Sequence, residues 1–252
     1  MSSAAPLLEA RDITFSRLAE GGQRQPILRQ ANLTVNKGEI LTVVGPSGCG
    51  KSTMLRLCNR LLEPDSGQVL LDGENIRAME PSALRARIPL VAQKPFLFQG
   101  SVLHNLQSPA RLRRTALPAK DDPALLQLLE QCQITPSWLE RDAHKLSIGQ
   151  QQRICVARAL IGPCQVMLLD EPTSALDRPT TDLMAQTFRQ LAGHRNLGMV
   201  IVTHDLRFAE RCADRVALML DGAVVETGTP AQLLHEPTTD PARAFLSAEP
   251  VQ

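Results

Sequence analysis

Apolar and polar residues alternate through "LLEARDITFSRL" (Leu7–Leu18) and again through "ANLTVNKGEILTVVG" (Ala31–Gly45). Alternation of this kind predicts strands with one face on a core, here arranged around an Asn36-Lys37-Gly38 turn. The spacing then turns helical from Lys51 to about Leu61, ahead of the turn "EPDSG". "QVLLDG" and "IPLVAQ" read as two further strands. From Phe96 to Leu160 the texture is helical, and in "DDPALLQLLEQCQI" Asp122 is suited to cap a helix whose first turn takes Pro123. Strand texture returns in "VMLLDE" (Val166–Glu171), "MVIVTH" (Met199–His204) and the hairpin "VALMLDGAVVETG", turned at Asp221-Gly222.

Strands alternating with helices predict an α/β sheet, interrupted by a helical insertion. The expected division is a core of residues 1–94 and 162–252 and a helical subdomain of residues 95–161. "RLRRTALPAKDDP" (Arg111–Pro123) is expected to be a mobile surface segment.

Composition narrows the function more than the fold. With 27 Lys and Arg against 26 Asp and Glu, the net charge is +1 and no basic run stands out, so nucleic acid is not an expected partner. Apolar residues make up 43% of the chain, yet their runs fall well short of the ~20 residues of a membrane span. The start, "MSSAAPLLEARD", has neither a basic leader nor an apolar signal core, and export is not expected. The six cysteines are scattered without C-x-x-C pairs, which suits reduced thiols packed as small hydrophobes.

Two stretches carry chemistry. "GPSGCGKST" holds Gly45, Pro46, Ser47, Gly48, Cys49, Gly50, Lys51, Ser52 and Thr53 between an apolar strand and a helix. Its glycines let successive N–H groups turn inward on a phosphate, and the helix start adds its positive dipole end. Lys51 supplies charge to the outer phosphates and Ser52 an oxygen for Mg²⁺. In "VMLLDEPTSALD", four apolar residues describe a strand buried on both faces, with two acids at its carboxyl end, where ligands gather in open sheets. Asp170 is placed to hold Mg²⁺, and Glu171 to orient and polarise an attacking water.

Gln93 in "VAQKPFLF", "LSIGQ" (Leu146–Gln150), "SALD" (Ser174–Asp177) and His204 in "IVTHD" complete an ordered set. With them the chain resembles the nucleotide-binding subunits of ATP-binding-cassette (ABC) transporters, nearest in feel to the ATP-binding subunits of phosphate importers and of a small metal-exporter group. The likeness runs from Leu7 to near Leu234. It implies a P-loop NTPase (RecA-like) core with N-terminal antiparallel β strands and an inserted α-helical subdomain, using ATP and Mg²⁺. It further implies a head-to-tail pair of chains, in which Ser147, Gly149 and Gln150 of one reach the γ-phosphate held by the phosphate loop of the other. Gln93 would reach Mg²⁺ and the water. His204 would contact the γ-phosphate and position Glu171, and Asp177 would lie at the seam between the two chains.

The resemblance also implies an integral membrane permease subunit docking on "KPFLFQGSVLHNL", with Phe96, Leu97 and Phe98 as apolar anchors, and a place on the cytoplasmic face of the cell membrane. Soluble members that act in DNA repair or on ribosomes form an alternative class; a long coiled-coil insertion or a second fused cassette would mark them, and the sequence has neither.

Two departures from the family pattern, and one cysteine, raise expectations of their own. Ile148 stands where the signature usually has glycine; it either starts an ordinary helix, as expected here, or strains the site. Arg17 falls where the family stacks an aromatic ring on adenine; its guanidinium plane can stack on a base, while Phe15 is expected to face away. Cys49, close to Lys51, is expected to have a lowered thiol pKa. A purely local reading, in which Ser147 caps a helix and Gly149 turns the chain, leaves Gln150 without a task.

Overall fold

The computed structural model describes residues 5–18 and 22–248. In chain order its main elements are β1 (Leu8–Leu18), β2 (Arg24–Val35), β3 (Ile40–Val44), α1 (Lys51–Cys58), β4 (Ser66–Leu71), β5 (Glu74–Asn75), α2 (Pro81–Arg87) and β6 (Leu90–Val91). There follow α3 (Val102–Arg113), α4 (Pro123–Gln131), α5 (Ile148–Leu160), β7 (Val166–Asp170), α6 (Arg178–Arg195), β8 (Gly198–Val202), α7 (Leu206–Cys212), β9 (Arg215–Leu220), β10 (Ala223–Gly228), α8 (Pro230–His235) and α9 (Asp240–Ala248).

Two sheets organise these elements. β2-β1-β4-β5 form an antiparallel sheet, and β10-β9-β3-β8-β7-β6 a second one that is parallel except for β10. The expected α/β sheet with N-terminal antiparallel strands is thus present. The continuous apolar run of β7 has a direct cause: Met167 and Leu169 pack into the core shared with α3–α6, while Val166 and Leu168 pack into the core shared with β1, β2 and α1. β8 divides likewise, with Met199 and Ile201 on one side and Val200 and Val202 on the other. A strand covered on both faces has no position left for polar alternation.

Several boundaries differ from the sequence expectation. β2 starts at Arg24 rather than Ala31 and contains Pro26, which it tolerates as the edge strand of its sheet. "IPLVAQ" contributes only Leu90–Val91, just after Pro89 and again at a sheet edge. α1 stops at Cys58 because Arg60 takes a left-handed φ of 55°. Arg111–Arg113 belong to α3, not to a loop. That helix also contains Pro109, whose missing N–H would leave the Asn105 carbonyl idle; Ser108 Oγ donates to it instead at 2.8 Å. Asp122 caps α4 as expected, accepting from the Ala124 N–H at 2.9 Å, with Pro123 in the first turn.

The six cysteines are free thiols. Burial pushes Cys58, Cys132 and Cys212 up to about 12, consistent with a packing role.

One carboxylate ties the link between the last two helices to the sheet. Glu226 on β10 accepts from the N–H and hydroxyl of both Thr238 and Thr239, at 2.7–3.0 Å. Burial pushes this carboxyl up, but the four donors outweigh it and hold its pKa down at about 2. A depressed pKa makes the clamp's contribution complete above the ordinary value of 4.5 and lost as pH falls towards 2. Cleavage within residues 229–248 by an acid-active protease is therefore expected to accelerate between pH 4.5 and 2, and a neutral protease at pH 7 is expected to cut Glu226→Ala there faster than the native chain. Equal cleavage of both proteins at pH 7 would exclude the clamp.

Candidate active site

The phosphate loop sits between β3 and α1, its three glycines at φ 146° (Gly45), 83° (Gly48) and 109° (Gly50). At Gly45 a Cβ would overlap the Met219 carbonyl oxygen on neighbouring β9, so close packing as well as conformation demands glycine there. Lys51 is buried, and its Nζ donates to the carbonyls of Gly45 at 2.7 Å and Pro46 at 2.8 Å. The loop is thereby wound around the ammonium group. Burial pushes the Cys49 thiol up, and nearby Lys51 does not reverse it, which corrects the expectation of a lowered value.

Ser52 Oγ donates to Asp170 Oδ1 at 2.7 Å, joining the start of α1 to the end of β7. Two hard oxygens side by side suit Mg²⁺, which needs few protein ligands where phosphates supply the others. In keeping with that, no group of three or more His, Cys, Asp or Glu side chains among the described residues could hold a metal alone.

Glu171 takes φ 47°, a conformation that strains a non-glycine residue, and its N–H donates to the Val202 carbonyl at 2.9 Å. Its Oε2 lies 2.9 Å from His204 Nδ1. The approach is close but out of hydrogen-bond alignment, so this buried oxygen has no donor among the described residues. Gln93 Nε2 donates to Ser174 Oγ at 3.3 Å, a partner that the reading of "SALD" did not single out.

One cleft of about 710 Å³ brings these groups together. Ser47, Gly48, Gly50, Lys51, Ser52 and Thr53 line it together with Gln93, Glu171 and His204. Arg56 and Leu62, which the motif reading missed, line it too. Phe15 and Arg17 both face it. This corrects the expectation for Phe15, because a step of two along a strand returns to the same face; an aromatic ring and a guanidinium therefore share the nucleotide side.

Ser147, Gly149 and Gln150 do not line that cleft. Ser147 caps α5 by accepting from the Gln150 N–H at 3.3 Å, and Gln150 Oε1 accepts from the Ser147 N–H at 3.0 Å. Gln150 thus closes a capping box and does have a local task. Ile148 is the first residue of an ordinary helix, half of it exposed at 50%. Gly149 is buried, and a Cβ there would sit 3.1 Å from the Thr180 methyl and 3.3 Å from Leu176, so packing rather than a turn requires it. Asp177 caps α6 through the Thr180 N–H at 3.1 Å. Of the apolar anchors, Phe96 and Phe98 are exposed and meet edge to face at 5.4 Å, whereas Leu97 turns into the core, correcting its assignment to a surface.

The family model described as "ABC transporter" matches residues 28–174. The chain is 39% identical over 246 residues to ABC transporter I family member 17 of Arabidopsis thaliana, covering 98% of this chain and 90% of that one. It is 37% identical to a glycine betaine/carnitine/choline transport ATP-binding protein of Bacillus subtilis, over 93% of this chain and 61% of that longer one. Among solved structures, cbiO1 from Clostridium perfringens, part of an ABC transporter complex, superposes with a TM-score of 0.81 at 25% identity, covering 97% of this chain and 96% of that one. A dimeric ATP-binding cassette in a post-hydrolysis state with ADP and Pi gives a TM-score of 0.76 at 28% identity, over 88% of this chain and 98% of that one. With the phosphate loop, Gln93, Glu171 and His204 gathered in one cleft on this fold, and Asp170 held to that cleft's Ser52, the chain belongs to the ABC transporter family, as an ATP-binding and ATP-hydrolysing subunit.

Proposed function

We propose that two copies of the chain close head to tail on two ATP molecules, and that closure and hydrolysis drive a solute through a separate membrane permease. The observation that carries this reading is a mismatch within one chain. The phosphate loop, Gln93, Glu171 and His204 share a cleft, while the capped N-terminus of α5, an anion-seeking helix end, lies outside it. A second copy supplies a phosphate for that helix end. The dimeric cassette structure is consistent with such a pairing.

Within the sandwich, Lys51 and the loop N–H groups hold the β- and γ-phosphates, and Ser147 and the Gly149 N–H reach the γ-phosphate from the opposite copy. Mg²⁺ fits beside Ser52 Oγ and Asp170, within reach of Gln93, and when bound there neutralises charge on the outer phosphates. Glu171 takes the proton of the attacking water, and His204, whose Nδ1 lies 2.9 Å from Glu171 Oε2, positions that carboxylate and meets the γ-phosphate. Phe15 and Arg17 hold the base. Asp177, at the start of α6, ties one site to the other. Residues 95–161 act as one helical unit, carrying both the N-terminus of α5 and the exposed Phe96 and Phe98 on which the permease docks. Among the described residues no helix is long and apolar enough to cross a membrane, consistent with a peripheral place on the cytoplasmic face, held by the permease.

The test is Ser147→Asp. Aspartate keeps the helix cap but places a negative charge against the partner's γ-phosphate. The ATP-dependent dimer is expected to disappear in light scattering, while each chain still binds a fluorescent ATP analogue. A dimer that persists unchanged would remove Ser147 from the sandwich.

A further inference from the structure

The stretch Arg111–Pro123, which no ATP-handling motif uses, borders a pocket of about 320 Å³. Its start completes α3, and the remainder is hydrogen-bonded along its length. The Thr115 N–H donates to the Ala110 carbonyl at 3.0 Å, Gln107 Nε2 to the Pro118 carbonyl at 2.9 Å and the Asp122 N–H to the Ala119 carbonyl at 3.1 Å. The pocket lies where the helical unit meets the core. α3, α4 and the end of α5 contribute one part of its wall, and Arg195, the last residue of α6, contributes another.

The lining divides into apolar and charged parts. Leu125, Leu128 and Leu160 are buried, and Leu117, 42% exposed, stands beside them with the half-buried Ile161. Arg113 and Arg195 are exposed and bring two guanidinium groups to the same pocket. Neither is ion-paired among the described residues. One hydrogen bond steadies each: Arg113 Nη2 donates to the Ile161 carbonyl at 2.6 Å, and Arg195 Nε to Gln131 Oε1 at 2.8 Å. Asp122 is the one acid among the described lining residues, and it is already engaged as the cap of α4, its Oδ1 accepting from the Ala124 N–H at 2.9 Å. The pocket therefore sets a surplus of positive charge beside leucine side chains.

We propose that this pocket binds a small carboxylate with an apolar body. The body covers the leucines, and the carboxylate takes hydrogen bonds from Arg195 and Arg113, since a planar guanidinium fork matches a carboxylate in two parallel bonds. Inorganic phosphate would satisfy the arginines but leave the leucines bare, and an uncharged apolar molecule would do the reverse. Small-molecule sites usually measure ~300–1,000 Å³, so this one takes a ligand from the small end of that range. Because the wall comes from both units, the bound ligand ties the helical unit to the end of α6. The phosphate loop, Glu171, Phe96 and Phe98 do not line the pocket, so the inference stands apart from the ATP sandwich and from the permease.

The probe is isocaproate, with its binding to the full chain followed by saturation-transfer NMR. Saturable binding is expected, and isocaproamide, the uncharged analogue, should bind about tenfold more weakly or worse, because hydrogen bonds to a charged group are the stronger ones. Arg195→Gln is expected to bring acid and amide level, with Arg195→Lys in between. Ala116→Trp, made on an exposed residue of the lining so that the new ring fills the pocket, is expected to abolish binding of both. Circular dichroism and binding of a fluorescent ATP analogue check that the variants keep the native fold. Absence of saturable binding to the native chain overturns the site. Equal binding of acid and amide, unmoved by Arg195→Gln, overturns the carboxylate. Should inorganic phosphate displace the probe at lower concentration than acetate does, the arginines select phosphate and the proposal fails. Binding that survives Ala116→Trp lies elsewhere on the chain and removes this pocket.

Discussion

Glu171→Gln is expected to lower kcat for ATP hydrolysis by about 10²–10⁴-fold, the range over which a positioned general base contributes. Glutamine keeps the size of the side chain and, at φ 47°, the same backbone, but cannot take a proton from water. The phosphate-binding groups are untouched, so ATP affinity should change little and the ATP-bound dimer should accumulate. Phosphate release at saturating ATP, together with light scattering, reads both effects. A variant retaining more than roughly a tenth of native kcat would show that the proton goes elsewhere.

The largest effect on stability is expected from Phe188→Ala. Phe188 on α6 is fully buried and meets Phe208 on α7 edge to face at 6.3 Å. Deleting such a ring costs about 3–5 kcal/mol through lost burial and the cavity left behind, against a total of about 5–15 kcal/mol for a typical domain. Urea unfolding should show a lower midpoint with an unchanged slope. α7 begins two residues after His204, so loosening of the α6–α7 contact should reach the catalytic cleft, and ATP hydrolysis should fail at a lower temperature than in the native chain. A midpoint within experimental scatter of the native one would mean that the site repacks around the loss.

How far the sequence reveals this molecule depends on the range of each interaction. The phosphate loop was legible because its chemistry is local: nine consecutive residues hold the glycines, the lysine and the serine. The acids at the end of β7 were legible because a run buried on both faces leaves no other reason for them. Ser52 meeting Asp170 and Glu171 facing His204 join distant parts of the chain, and only the sheet order places them together. β2 was read too short because Pro26 argues against a strand unless the strand is known to be an edge. Leu97 could not be told from Phe96 and Phe98 by composition, since three apolar neighbours in an irregular segment carry no period. The shared face of Phe15 and Arg17 was available from strand geometry alone. The pocket of Arg113 and Arg195 was not, because the two arginines come from the ends of separate helices.

The position of β3 sets an order of events during synthesis. The strand that leads into the phosphate loop lies between β8 and β9, with both neighbours drawn from residues 198–220. At ribosomal rates of ~5–20 residues per second, the loop therefore waits roughly ten to thirty seconds for the strands that flank it. A nascent chain stalled in the helical insertion would already carry every residue of the phosphate loop, yet could not hold ATP with native affinity. Nucleotide thus becomes available as a folding ligand only near the end of translation, when β9 closes the sheet.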